Sequence, residues 1–201
     1  MKKLAFFVFF SLITLGAFSQ AQVKWNVNAG IGMASWYGDD SDGTDAKFAY
    51  KIGVGMEVPF NQVWSFQSGL NFISKGVSGD EVTDGWDVVD VSINQLYLEL
   101  PLMVGARIHT ASNFDLLFKA GPYLAYGVGG KIKAEAGNES GKADTFGDDG
   151  LKRFDAGLGL GVAFEFDKIV LGVETNTGLT KLMGGLDAQN ISAMLTVGYK
   201  F

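Results

Sequence analysis

The residues best suited to acid-base chemistry are few in this 201-residue chain. His109 is its only histidine, and it stands beside Thr110 and close to Ser112. Hydrolysis of a lipid or a peptide would need such a base next to a nucleophile. A solvated histidine in a turn is the simpler interpretation, so we predict no enzymatic activity. Lipid or peptide processing, through an aspartate- or glutamate-based site, is kept as an alternative.

Four aspartates, Asp39, Asp40, Asp42 and Asp45, form a second group, and carboxylate oxygens are ligands that Ca²⁺ prefers. The stretch 38–43 does not fit the EF-hand pattern, because glycine stands at its first position and no glutamate closes the loop. A solvated acidic surface is the plainer interpretation. We therefore predict no metal and no cofactor, and these aspartates stay candidate calcium ligands only.

A third set of charges lies in segments where apolar and polar residues alternate. Its members are Lys24, Lys51, Glu57, Glu99, Arg107, Asp115, Lys119, Asp155, Glu165, Glu174 and Lys200. All of them occupy the same phase of the alternation. Buried charges are costly unless they are paired, so we interpret this set as a mutually paired polar network. If the turn at 109–113 is centred on Ala111, Arg107 lies opposite Asp115 within it.

Eight segments carry the alternation: 23–33, 48–58, 64–72, 96–108, 114–128, 154–166, 169–179 and 191–201. Successive side chains of a strand point to opposite faces. No charged residue occupies the apolar phase, whereas the glycines of these segments occupy the polar phase. Glycine has no reason to crowd a wet surface, but a narrow lumen has little room for side chains. We predict an all-β fold, an eight-stranded antiparallel up-and-down transmembrane β-barrel whose apolar face meets lipid.

The connections between the segments alternate in length, as those of outer-membrane barrels do. The long ones are 34–47, 73–95, 129–153 and 180–190, and the short ones are 59–63, 109–113 and 167–168. The long loops are the predicted extracellular surface for a protein partner, and we predict that the third is mobile. A small-solute pore is a further alternative, although an eight-stranded lumen is filled by its own side chains.

Aromatic residues of the apolar phase collect toward the strand ends, as interfacial girdles do. The predicted girdle comprises Trp25, Trp64, Phe66, Phe164, Tyr199 and Phe201 near one rim, with Tyr126 and Phe154 near the other. These side chains are expected to contact outer-membrane lipid.

The first residues of the chain predict export. Lys2 and Lys3 precede an apolar run at 4–18, and small residues follow it. This pattern is typical of a signal peptide at 1–19, with cleavage after residue 21 as the other option, so the barrel domain spans 20–201. The formal net charge of −6 disfavours nucleic-acid binding. The sequence leaves open whether a small molecule binds.

Several runs resemble the PorT-type outer-membrane β-barrel family. They are QLYLELPL at 95–102, KAGPYL at 119–124, FDAGLGLG at 154–161, GLTKL at 178–182 and the ending VGYKF at 197–201. The resemblance implies an eight-stranded barrel in the outer membrane of a Gram-negative bacterium. It also implies a structural or binding role, as an accessory in protein secretion or envelope assembly. Pro101 and Pro122 fall inside predicted strands, and we interpret them as bulges.

Overall fold

The computed structural model describes residues 23–41, 43–82, 88–110, 114–136, 139–147 and 150–201. The predicted signal peptide, residues 1–19, and the other cleavage site after residue 21 lie outside these ranges. The strands of the described part are β1 Lys24–Tyr37, β2 Asp45–Pro59, β3 Trp64–Val82, β4 Val88–His109, β5 Asp115–Gly129, β6 Lys131–Ala136, β7 Glu139–Asp144, β8 Phe154–Phe166, β9 Ile169–Gly178 and β10 Gln189–Lys200. In the described ranges, no helix is both long and apolar enough to cross a membrane.

Strands β1 to β5 and β8 to β10 close into a barrel. Each pairs antiparallel with its neighbours in the order β3-β2-β1-β10-β9-β8-β5-β4, and the β3–β4 pairing completes the ring. The prediction of an eight-stranded antiparallel barrel is therefore confirmed. The two remaining strands, β6 and β7, form a hairpin that pairs with β4 beyond the barrel.

The two phases of the alternation occupy the two faces of this barrel. Apolar side chains such as Ile31, Leu160 and Leu195 point outward and are 58%, 59% and 63% exposed. Charged side chains such as Lys51 and Glu99 point into the lumen and are buried. An apolar outer surface around a polar interior is what a bilayer requires of a barrel.

The girdle aromatics all lie on the outer surface, at the strand ends. They are Trp25, Trp64, Tyr126, Phe154, Phe164, Tyr199 and Phe201, which are exposed, and Phe66, which is half-buried. Phe114 extends the set, because its ring packs 6.1 Å from that of Phe164 and 5.6 Å from that of Phe166. At the other rim, Tyr126 lies opposite Phe154 in the β5–β8 pair.

Two of the long connections are more regular than the sequence predicts. The predicted loop at 73–95 is largely strand, because β3 runs on to Val82 and β4 begins at Val88. The predicted loop at 129–153 contains β6 and β7, so the assignment to a loop is wrong for these segments, while its mobility stays a prediction. Backbone hydrogen bonding to β4 explains both differences, since it gives each extension a partner strand.

The two strand prolines do not form bulges, and that prediction is wrong. Pro101 pairs with Tyr123 and Pro122 with Leu158 in unshifted register. The proline nitrogen carries no hydrogen, so it omits a rung of the ladder without adding a residue. The register shifts lie elsewhere, between Ala46 and Tyr50 of β2 and between Leu96 and Tyr97 of β4.

Candidate functional site

Four charged side chains form a closed ring in the lumen, near the end of the barrel that carries the short turns. Arg107 donates from Nη2 to Glu57 Oε1 at 2.7 Å and from Nε to Glu165 Oε2 at 2.9 Å. Lys200 Nζ donates to Glu57 Oε2 at 2.8 Å and also bonds Glu165. Each cation therefore holds both carboxylates, and the ring is neutral. Such pairing makes buried charge tolerable.

At the short-turn rim next to this ring, the pairing between β4 and β5 differs from the prediction. His109 rather than Arg107 lies opposite Asp115, because the turn is centred one residue later than Ala111. Asp115 Oδ1 lies 2.9 Å from His109 Nδ1, and its Oδ2 lies 3.6 Å from Arg107 Nε. Asp115 is only partly buried, and Lys24 is exposed at the same rim. These two predicted network residues thus belong to the mouth of the barrel.

The middle of the lumen holds one carboxylate between two cations. Glu174 Oε1 accepts a hydrogen bond from Lys119 Nζ at 2.5 Å, and its Oε2 accepts one from Lys51. A cavity of about 100 Å³ adjoins these groups, with Asn28 and Asn71 also in its wall. A cavity of this size holds a few water molecules.

Near the end that carries the long loops, one cation lies between two carboxylates. Lys75 Nζ is 3.2 Å from Glu99 Oε2 and 3.5 Å from Asp155 Oδ2. The same ammonium lies 4.4 Å from the ring centroid of Tyr123 and 5.6 Å from that of Tyr97, within cation–π range. Lys75, Tyr97, Tyr123, Glu99 and Asp155 are each at most 2% exposed. Among the described residues, packed side chains therefore occupy this level of the lumen.

Neutral donors complete the coordination of those two carboxylates. Asp155 accepts from Thr180 Oγ1 at 2.8 Å and from Asn190 Nδ2 at 3.2 Å. Glu99 accepts from Asn176 Nδ2 at 3.2 Å. The donors satisfy the carboxylate lone pairs that Lys75 leaves unbonded.

Lys75, Tyr97, Tyr123 and Asn190 are lumen residues that the sequence prediction missed. The sequence prediction assigned Lys75 to the start of a loop, although Lys75 continues the inward phase of β3 after Asn71 and Ile73. If the predicted strand had continued three residues beyond residue 72, Lys75 would have been placed inside the lumen. The tyrosines escape notice because only charges and glycines were used to define the inner face.

An apolar cap covers the lumen at the long-loop end. It consists of Phe146, Leu151, Leu182 and Ala188, which are buried over Tyr97 and Tyr123. The rings of Phe146 and Tyr97 meet edge to face, 5.4 Å between centroids. Backbone bonds tie the cap together, since Lys152 N donates to Leu182 O at 2.7 Å and Leu182 N donates to Ala188 O at 3.0 Å. The lumen is therefore closed by packed side chains at this end.

Gly127 makes room for this cap, and its replacement is a direct test. A Cβ at position 127 would lie 2.5 Å from Phe146 Cζ. Gly127→Ala is therefore expected to displace Phe146 and lower the free energy of unfolding by about 1–3 kcal/mol, the usual cost of overpacking. Denaturant unfolding in lipid vesicles measures the change. Gly141→Ala is the matched control, because a Cβ there meets nothing within 4 Å. Equal stability of the two variants would contradict the packing of the cap.

One of the four candidate calcium ligands, Asp40, joins two loops. Asp40 accepts a hydrogen bond from Asp187 N at 2.6 Å and donates its own N–H to Asp187 O at 3.2 Å, which joins the first and last long loops. The Lys181 ammonium, 3.0 Å away, lowers the pKa of Asp187 below its usual value. Asp39 and Asp45 are exposed, and Asp42 lies outside the described residues. The described part of the chain contains no group of three or more acidic or histidine side chains able to hold a metal ion.

His109 serves the short-turn rim. Its Nε2 lies 3.0 Å from the carbonyl oxygen of Gln62, and its Nδ1 faces Asp115 as described above. Both ring nitrogens are thus engaged by neighbouring turns. Ser112, which is close to His109 in the sequence, lies outside the described residues.

The sequence of this barrel matches a known protein family. Residues 17–184 match the family model described as outer membrane protein beta-barrel domain. The chain belongs to this family. The barrel accordingly lies in the outer membrane. Barrels of this class have short periplasmic turns and longer extracellular loops. No curated protein matches the chain.

Several solved barrels are similar in fold. Ail, the attachment invasion locus protein of Yersinia pestis, is 15% identical over 90% of this chain and 99% of its own, with a TM-score of 0.45. Neisserial surface protein A is 10% identical over 88% and 97%, with a TM-score of 0.46. The N-terminal β-barrel domain of Pseudomonas aeruginosa OprF is 12% identical over 90% and 100%, with a TM-score of 0.35. At these values no functional residue is transferred to this chain.

Proposed function

We propose that this protein is a non-enzymatic structural and binding component of the outer membrane, a closed scaffold that presents an extracellular sheet to a protein partner. The observation that carries the proposal is the burial of the lumen. Glu57 at the periplasmic ring and Lys75 beneath the cap are each at most 2% exposed, and the side chains of Lys119 and Glu174 between them are each 20% exposed. A lumen occupied in this way supports a scaffold role rather than a small-solute pore.

The extracellular sheet offers a suitable binding surface. It consists of the outer parts of β3 and β4 together with β6 and β7, and β7 is the last strand in the sheet order. In the described residues, β7 pairs with β6 on one side and leaves its other edge to solvent. Ser140 and Lys142 are exposed there. An edge strand on a rigid base supports pairing with an extended segment of a partner.

The finer assignment rests on the resemblance to the PorT-type family. It makes the partner a component of a protein secretion or envelope assembly system. We propose also that residues 1–19, or 1–21, are removed as a signal peptide, which leaves the barrel as the mature protein.

Photocrosslinking in intact cells tests the partner surface. A photoreactive residue at Lys142 in β7 is expected to give a crosslinked product of discrete mass, because this edge is exposed and supported by β6. The same residue at Lys168, in the β8–β9 periplasmic turn, is the control. The proposal fails if positions 140 and 142 give no product, or if Lys168 gives the same product.

A further inference from the structure

A second cavity opens on the outer wall of the barrel, at the edge of the lipid-facing band nearest the long loops. Its volume is about 560 Å³, and its walls come from β2, β4, β5, β6 and the segment before β8. Leu96 and Val128 form its membrane side, and Val128 is 44% exposed in the lipid-facing phase of β5. Tyr126 of β5 and Phe154, the first residue of β8, form the aromatic rim at this long-loop end. The cavity therefore lies at the level of lipid headgroups.

Cationic side chains dominate the lining. They are Lys47, Lys131, Lys133 and Arg153, against Asp144 as the lining carboxylate among the described residues. Asp144 is bound to Lys131 at 2.5 Å, and that contact lowers the pKa of Asp144. Four cations against one carboxylate leave the cavity positive.

The strand register explains how two of these lysines meet. Lys133 lies opposite Ser92 in the β4–β6 pair, so both side chains share the outer face of the sheet. Lys47 Nζ donates to the same Ser92 Oγ at 2.7 Å. Lys131, two residues before Lys133, points to that face as well. Lys47 and Lys133 thus lie beside the same serine, and Lys131, whose ammonium bonds Asp144, lines the same cavity.

Lys47 reaches this face by crossing β3 at a glycine. Its ammonium lies 3.4 Å from the carbonyl oxygen of Ile93 in β4, although β3 lies between β2 and β4. The crossing point is Gly76, with φ of 143°, where a Cβ would lie 2.1 Å from that same carbonyl oxygen. Only glycine accepts this conformation and this close approach.

Arg153 is held in place by the cap. Its Nη1 donates to the carbonyl oxygen of Gly127 at 2.9 Å, and its guanidinium lies 5.7 Å from the ring centroid of Phe146. Within the described residues, the hydrogen bonds of Arg153 and Lys47 are to neutral groups. The positive charge of Arg153 also acts on Asp144, the carboxylate that Lys131 already binds, so one carboxylate faces several cations. An anion in the cavity would supply the missing counter-charge.

We propose that this cavity binds the phosphate-bearing headgroup of an outer-leaflet lipid. Phosphate accepts several charge-assisted hydrogen bonds from clustered lysine and arginine side chains. The membrane side of the cavity, Leu96 and Val128, continues into the apolar band, where the acyl chains of the same molecule would lie. Free phosphate would use the cations but gain nothing from that apolar wall, so the geometry favours the lipid.

The test uses the mature barrel in a neutral detergent and three probes: bisphosphorylated lipid A, the same lipid without phosphates, and inorganic phosphate. Binding is measured by native mass spectrometry over a titration. The wild type is expected to bind the phosphorylated lipid more tightly than both other probes. Lys131→Gln/Lys133→Gln should weaken that binding by about tenfold or more, given the usual contribution of a lysine near an anionic lipid surface.

Lys24→Gln/Lys168→Gln is the matched control, because it removes the same charge from the periplasmic side and should leave the affinity unchanged. Retention of the barrel fold is checked by circular dichroism. Equal binding of the two lipids would overturn the proposal, and so would equal loss in both double variants. Binding of inorganic phosphate as tight as that of the lipid would overturn the lipid assignment.

Discussion

Replacing Arg107 by methionine is expected to lower the free energy of unfolding by about 3–5 kcal/mol, the range for breaking a buried ion pair by removing one partner. Arg107 bonds both Glu57 and Glu165, which are 2% and 6% exposed. Without it, two buried carboxylates share Lys200 alone. Urea unfolding in lipid vesicles, followed by tryptophan fluorescence, measures the change.

Two companion variants make this prediction specific to the ring. Asp115→Asn is expected to cost about 1 kcal/mol or less, since Asp115 is 31% exposed at the rim. Arg107→Met/Glu165→Gln should be more stable than Arg107→Met, because Lys200 and Glu57 then remain as a neutral pair. If the single and double variants unfold at the same urea concentration, the ring does not act as one unit.

Replacing Lys75 by methionine is expected to cost about 3 kcal/mol or more, for a related reason. Lys75 is the cation between Glu99 and Asp155, and it also contacts the ring of Tyr123. Its loss leaves two carboxylates buried in a closed part of the lumen. The same vesicle unfolding experiment measures the difference from the wild type.

Lys51→Met is the matched control for Lys75→Met. Both lysines are buried in the lumen, but Lys51 shares its single partner, Glu174, with Lys119. Removing Lys51 leaves a neutral pair, so we expect a cost of about 1 kcal/mol or less. Equal costs for the two variants would show that the ratio of cations to carboxylates does not control stability here.

The fold could be predicted from the sequence because the bilayer imposes a strict alternation. Ile31 and Leu195 must meet lipid while Lys51 and Glu99 must avoid it, so the phase of each strand is fixed by its charges. Strand extensions beyond the bilayer are not under this constraint. The outer part of β4 places Val91 and Ile93 in the phase that carries Glu99 and Arg107 inside the barrel, so the alternation of the sequence stops there, and this part and the β6–β7 hairpin were predicted as loops.

The lumen residues were predicted as a set, but their partners were not. The phase of the alternation places Glu57 and Lys200 inside the lumen, but it does not show that they meet. Their contact joins β2 to β10, and it depends on how both strands are aligned with β1 between them. The predicted register at Arg107 was wrong by one residue in the turn, although Arg107 Nε still lies 3.6 Å from Asp115 Oδ2. Lys75 was missed because β3 was ended too soon.

The cap was beyond sequence reasoning for another reason. Phe146 and Leu182 lie in polar, glycine-rich loops, and nothing in their spacing indicates that they meet over Tyr97. Gly127 is the one residue that pointed to the cap from the sequence, because it is an inward-facing glycine beside the outer rim. Its role becomes clear only in the structure, where Phe146 packs against it.

The central claim, a closed polar lumen inside an apolar wall, is tested most directly by a nitroxide scan of positions 193–198 in β10, one cysteine at a time in a chain that has none. In vesicles, collision with dissolved oxygen should be high at Ala193, Leu195 and Val197 and low at the positions between them. Collision with a water-soluble nickel chelate should be low throughout. High nickel collision at positions 194, 196 and 198 would contradict the account by showing a water-filled lumen, and an oxygen maximum there would show that the faces are reversed.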